Sequence, residues 1–343
     1  MKQTLFGRAL ASLAAVTLVF GLVGCSDDAD ESVKNSDNTS AANGFSEEWP
    51  RTVETDDGEL TLESQPERIV STSTALTGAM LAVGAPVVAS AATSPNVPDL
   101  SDDQGFFLQW SEEAKTAGVE KLWENATPEV ELVVDYDPDL IVVSKNSGDS
   151  VFDQVDQLEQ IAPVLVVDYS DRSWQEVTTM VAVATGHEAQ AEEVIADFDA
   201  KVDAAAAAIN VPDAAVSPFI VFGDGSGAAA LTEEAPQSQV LERLGFELTE
   251  IPDEVKGNTE MGADRGDMVN LSLENIQAGL PGTVWIVIAG DETSREVIES
   301  EPAFNTSLAV ENDQVYYTPG ETFRLDYFSA VMLLDSIQEQ FAA

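Results

Sequence analysis

Two α/β halves with one long helix between them are the architecture this sequence predicts. Three observations carry it. Leu140-Ile141-Val142-Val143 and Pro163-Val164-Leu165-Val166-Val167 are unbroken apolar runs, as in strands buried on both faces. A second series begins at Phe219-Ile220-Val221-Phe222 and continues at Val284 to Ile288 and at Val315-Tyr316-Tyr317. Between the series, Ala191, Val194, Ile195, Phe198, Val202, Ala205 and Ile209 recur at the spacing of an amphipathic helix.

The elements follow in chain order. Lys2 and Arg8 give a positive start, and Ala9 to Val23 is an apolar run of fifteen residues. That is short of the ~20 residues a spanning helix needs. It reads as the core of a signal peptide covering residues 1–24. Leu22-Val23-Gly24-Cys25 resembles a bacterial lipobox, so Cys25 is expected to carry lipid and to begin the mature chain. It is also the only cysteine, which leaves packing rather than internal disulfides to stabilise the fold. Residues 25–58 are rich in Ser, Asp, Asn and Thr and read as an acidic flexible tether.

The first half is placed at residues 59–170. It has a short strand at Arg68-Ile69-Val70-Ser71, helical spacing from Leu76 to Val83, and a strand at Pro86-Val87-Val88-Ala89. A helical segment at 171–210 follows, and then the second half at 211–343. Glu188 to Ile209 predicts a helix of about 22 residues, or ~33 Å. Such a helix either crosses from one half to the other, limiting hinge motion, or packs wholly within one of them.

Composition excludes several functions. Sixty-two Asp and Glu against 15 Lys and Arg give a formal charge of −47. Phosphate contacts need Lys and Arg, so nucleic acid is not an expected partner. His187 is the only histidine, in the turn Thr185-Gly186-His187-Glu188, which removes any reaction needing two. No Cys/His metal set and no Gly-x-Ser-x-Gly elbow occur. Gly223-Asp224-Gly225-Ser226-Gly227 follows a strand without dinucleotide-loop spacing, and is expected as a turn at the rim of a cleft. A secreted two-lobed enzyme is therefore the weaker reading, and no cofactor is expected.

Several motifs carry a resemblance. They include Arg68-Ile-Val-Ser-Thr-Ser-Thr-Ala-Leu-Thr-Gly, Asp102-Asp103-Gln104-Gly105-Phe106 with Gln109-Trp110-Ser111, and Ile161-Ala162-Pro163 with Ser173-Trp174-Gln175. The most specific is Glu321-Thr322-Phe323-Arg324-Leu325-Asp326-Tyr327. From Trp49 almost to the C-terminus the chain resembles the substrate-binding proteins of iron-siderophore ABC importers. The resemblance implies two Rossmann-like lobes joined by a single rigid helix, with the ligand in the cleft between them. It implies a ferric siderophore as ligand, a catecholate of the enterobactin kind, with a hydroxamate siderophore, haem or a corrinoid as alternatives. The siderophore itself holds the iron, so no protein metal ligands are required.

The same resemblance implies roles for particular residues. Arg324 is the first candidate to grip an anionic ligand, since guanidinium suits paired catecholate oxygens. Arg265, in Ala263-Asp264-Arg265-Gly266-Asp267, is the second. Phe106, Trp110 and Phe323 are candidates to stack on catechol rings. Glu131 and Glu242, one per lobe, match positions that engage the permease. The implied partners are an ABC permease with its ATPase subunits, and a membrane held through the lipid anchor on its extracytoplasmic face. The chain is expected to act as a monomer. Two departures fall in the expected cleft. Asn96-Val97-Pro98-Asp99 replaces an arginine of the relatives, and Ala230-Leu231-Thr232 replaces a tryptophan.

Overall fold

Both faces of the central strands are buried, which is why their sequences do not alternate. In the computed structural model, Val142 joins the core on one face of the first sheet while Ile141 and Val143 join the core on the other. In the second sheet Ile286 and Ile288 face one core, and Trp285 and Val287 the opposite one. The structure describes residues 48–93, 100–146, 148–149, 151–170, 172–255 and 266–343.

The chain opens with a hairpin, β1 (Arg51–Thr55) and β2 (Gly58–Leu62), paired antiparallel. The first sheet contains β3 (Ile69–Ser71), β4 (Val87–Ala92), β5 (Glu120–Glu124), β6 (Leu140–Ser144) and β7 (Val164–Val167). Its helices are α1 (Leu76–Ala82), α2 (Leu108–Ala117) and the short α3 (Val155–Leu158). Next come α4 (Trp174–Thr185) and α5 (Glu188–Ala206). The second sheet contains β8 (Val216–Val221), β9 (Gly227–Leu231), β10 (Met268–Ser272), β11 (Val284–Val287) and β12 (Val315–Tyr317). Around it lie α6 (Pro236–Arg243), α7 (Ile276–Gly279), α8 (Glu292–Ser300), α9 (Pro302–Asn305), α10 (Leu308–Glu311) and α11 (Tyr327–Gln340).

The two sheets share a strand order. The first runs β5-β4-β3-β6-β7, all parallel, and the second β10-β9-β8-β11-β12. They differ in direction, because β9 and β10 are antiparallel to their neighbours. Gly223 to Gly227 is the cause. It closes a tight turn, with the Phe222 and Gly227 backbones bonded across it, and so short a connection can only return the chain antiparallel. The second sheet is therefore mixed, and the glycine-rich turn, expected at the rim of a cleft, joins β8 to β9 and is not among the residues that line the cleft described below.

α5 settles the question its periodicity left open. It runs 19 residues, about 28 Å, and does not reach Ile209. Its first turns place Ala191 in the first lobe's core, while Phe198, Val202 and Ala205 lie in the second lobe's core. It therefore crosses between the lobes. Gly186, in left-handed conformation, ends α4, and the chain re-enters a helix at once. A second bridge was not expected. The start of α11 returns to the first lobe, where Phe328 packs on the first core and Asp326 lies against Gly78 of α1. A Cβ at Gly78 would collide with the Asp326 carboxylate and approach Trp110 to 2.9 Å, so this contact requires glycine.

The predicted tether ends earlier than residue 58. Arg51, in β1, donates to the Val183 carbonyl (2.6 Å) and pairs with Glu188 (2.5 Å), both ends nearly buried. Asp56, in the hairpin turn, receives both guanidinium nitrogens of Arg172 at 2.6 and 2.8 Å. The signal was Asp57-Gly58, a hairpin dipeptide whose Gly58 has φ 112°.

Asp326 caps α11, its Oδ1 accepting the Ser329 N–H at 2.9 Å. Burial raises its carboxyl to about 6, against the opposing pull of the Ser329 hydrogen bonds. A folded pKa above the unfolded value means the folded chain keeps a proton that the unfolded chain has lost between roughly pH 4 and 6. Stability from this group therefore falls as pH rises through that window. Asn keeps the capping oxygen without the charge. We expect Asp326→Asn to gain on the wild type between pH 4 and pH 7, by at most about 3 kcal/mol, in chemical denaturation. A difference that stays constant or reverses would contradict the assignment.

Candidate functional site

The first sheet reverses its winding between β3 and β6, and ligands of open α/β sheets bind outside the strand ends at such a switch point. A cavity of about 580 Å³ lies there, walled by both lobes. From the first lobe come Thr74 and Ala75 after β3, Lys145 and Asn146 after β6, and Asp168, Tyr169 and Ser170 after β7. Phe107 and Gln109 at the start of α2, Arg172, and Trp174 on α4 complete that wall. The second lobe contributes Ile220, Leu231, Gln237, Asp267 and Met268 with Phe323, Arg324, Leu325 and Asp326.

A buried carboxylate shapes the first wall. Asp149 accepts the Thr74 N–H and hydroxyl, each at 2.7 Å, the Ser73 hydroxyl, and the Ala75 N–H at 3.3 Å. Beneath it the hydroxyls of Ser71, Thr77 and Ser90 bond to one another. The hydroxyl-rich motif after Arg68 thus holds the β3–α1 turn in shape. Across the cleft, the Arg324 segment is fixed from two sides. Gln237 on α6 donates to the carbonyls of Thr322 and Phe323, both at 2.9 Å, and the Ser329 hydroxyl donates to the Arg324 carbonyl at 2.9 Å.

Charge in the walls is unevenly committed. Arg172 is held by Asp56. The Asp56 carboxyl stays below its usual value because the Arg172 fork and the Asp168 amide outweigh its burial. Asp168 is also lowered: burial opposes, but bonds from Ser170 and Asn146 prevail. Among the described residues, Lys145 and Arg324 enter no ion pair. Lys145 donates to the Asp56 carbonyl at 3.0 Å. Arg324 donates to the Tyr169 hydroxyl at 2.6 Å and lies 5.9 Å from the Phe323 ring.

The predicted site residues divide. Arg324 and Phe323 line the cleft, and both are exposed. Phe106 and Trp110 do not line it, which corrects their expected stacking role. Both are fully buried in the first core, with ring centroids 5.3 Å apart. Phe106 follows the tight turn at Gly105 and points inward, so Phe107 meets the cleft instead. Arg265 and the segment Asn96 to Asp99 lie outside the described residues. Leu231 lines the cleft, putting an aliphatic group where the relatives were expected to stack an aromatic. Glu131, in a 3-10 turn, and Glu242, near the end of α6, are exposed and outside the cleft. Lys145, Tyr169 and Gln237 escaped the sequence reading. Lys145 directly follows β6, which borders the switch point, and Tyr169 lies two residues after the buried strand β7, positions that could have marked them.

Two similar lobes, a crossing helix and a cleft between them form a body with a site for a ligand. The chain belongs to the periplasmic binding protein family, which matches residues 69–322. It is 43% identical to the ferric enterobactin-binding periplasmic protein FepB of Escherichia coli O6:H1 (strain CFT073), over 86% of this chain and 92% of that one. It is 26% identical to the iron(3+)-hydroxamate-binding protein FhuD of Bacillus subtilis, over 80% and 88%. Among solved structures, holo-ViuP superposes with a TM-score of 0.76 at 32% identity, covering 86% of this chain and 96% of that one.

Proposed function

We propose that the protein captures a ferric siderophore in the cleft outside its cell membrane and delivers it to an ABC importer. The observation that carries this reading is Arg324, a cation without an ion pair among the described residues, set in a 580 Å³ cleft beside exposed Phe323. Lys145 on the opposite wall adds a second cation. Together they suit an anionic chelate, and the kinship with FepB favours a catecholate of the enterobactin kind. The iron is cargo, and the siderophore supplies its ligands. Leu231 and the FhuD kinship make a hydroxamate the competing ligand. The protein performs no covalent step. α5, anchored in both cores, limits the lobes to a modest closure.

Delivery requires that the body stay near its permease. In our reading lipid on Cys25 provides this, and Glu131 and Glu242 on separate lobes meet cations of the permease.

Tryptophan fluorescence titrated with ferric enterobactin and with ferrichrome tests the ligand. Quenching by the catecholate at micromolar concentration is expected, and Arg324→Ala should weaken it by ~1.5–3 kcal/mol. Silence toward every ferric chelate would overturn the reading. In cells, Glu131→Lys or Glu242→Lys should stop uptake without changing affinity, and Cys25→Ser should shift the chain from membrane to soluble fraction. Uptake that survives both reversals would remove the docking role, and an unchanged membrane fraction would remove the anchor.

A further inference from the structure

The cleft contains a bond that joins its two walls. Arg324 belongs to the second lobe, on the segment leading into α11. Its Nη1–H donates at 2.6 Å to the hydroxyl of Tyr169, which follows β7 in the first lobe. The same guanidinium lies 5.5 Å from the Tyr169 ring centroid. One nitrogen is thereby committed, and the rest of the five-donor fork remains to be matched.

The phenol proton is only loosely held. Its acceptor is Asp149 Oδ2, at 3.4 Å. That carboxylate is already taken by the Ser73 and Thr74 hydroxyls and by the Thr74 and Ala75 amides. A fifth, long bond adds little to it. Asp149 therefore marks where the phenol sits more than it consumes the proton. Burial and the nearby Asp149 charge push the Tyr169 phenol up to about 12, with Arg324 pulling the other way, so it remains a donor at any physiological pH.

We infer that Tyr169 is a ligand-contacting and specificity-determining residue, forming with Arg324 a two-residue donor station that spans the cleft and selects anionic iron chelates over neutral ones. The inference rests on the proposed siderophore-binding role of the cleft. When an anionic oxygen enters, the phenol O–H turns from its long bond to Asp149 and donates to the ligand, while still accepting from Arg324. The guanidinium, steadied by that bond, turns its remaining N–H groups to the same oxygens. Hydrogen bonds to a charged acceptor are about twice as strong as neutral ones, which is the source of the selectivity. The same contact draws the lobes toward one ligand, because one partner comes from each.

Affinities of the full chain for trianionic ferric enterobactin and neutral ferrichrome test this, measured for wild type, Tyr169→Phe, Arg324→Ala and the double variant. Phe keeps the ring and removes only the hydroxyl, and the melting temperature of each variant reports its folding. Tyr169→Phe should weaken the trianion about tenfold and ferrichrome by less than about twofold, the former being the loss of one hydrogen bond to a charged group. The double variant should be less than additive, since each residue works through the other. An unchanged trianion affinity, or equal loss for both chelates, would overturn the role of Tyr169 while leaving the cleft as the binding site. A wild-type chain that binds neither chelate would overturn the siderophore reading itself.

Discussion

Everything in this molecule depends on α5 being buried at both of its ends. Ala191 is packed among residues of the first sheet's helices, and Phe198 among those of the second. Phe198 meets the edge of Trp174 at 5.1 Å, and Trp174 in turn meets Tyr327 at 6.0 Å. The Tyr327 hydroxyl then donates to Asp197 on α5 itself, at 2.7 Å. Aromatic side chains from α4, α5 and α11 thus lock together where the lobes join. Truncating a buried phenylalanine in such a place costs about 3–5 kcal/mol, a large fraction of a domain's net stability. Swinging the lobes apart would break this packing, so the cleft is limited to small changes of width.

The cleft takes much of its chemistry from the ends of strands. Each sheet has its first strand in the middle, β3 or β8, and reverses winding there. In the first lobe this brings the ends of β3, β6 and β7 to one rim, and Thr74, Lys145 and Tyr169 with them. In the second lobe the strand ends matter less, because β9 runs against the rest of its sheet. The contacts come instead from the segment before α11, held by Gln237 and Ser329. The walls are built differently, one from strand ends around a buried carboxylate and one from a braced loop, and Arg324 and Tyr169 are where they touch.

The fold was largely legible in the sequence because burial on both faces leaves long apolar runs, and a crossing helix leaves a long amphipathic one. β9 was not, since Gly-Ala-Ala-Ala-Leu has too little side chain to signal a strand. β1 was hidden by acidic neighbours that resemble a tether, although Asp57-Gly58 marked its turn. In the site, Arg324 was legible through its motif, whereas the direction of an aromatic was not. Phe106 and Phe107 are adjacent and chemically equal, and only the turn at Gly105 decides which one faces inward. Tyr169 was invisible for another reason. Its significance lies in a bond to a residue 155 positions away, which no local pattern contains.

The central claim is that one chelated iron sits between the lobes, gripped from both walls. The position of the metal in crystals grown with ferric enterobactin tests it most directly, because iron scatters anomalously and the protein does not. The account predicts a single iron peak in the cleft, between Arg324 of the second lobe and Tyr169 and Lys145 of the first. A peak on the outer surface, or one contacted by a single lobe, would contradict it.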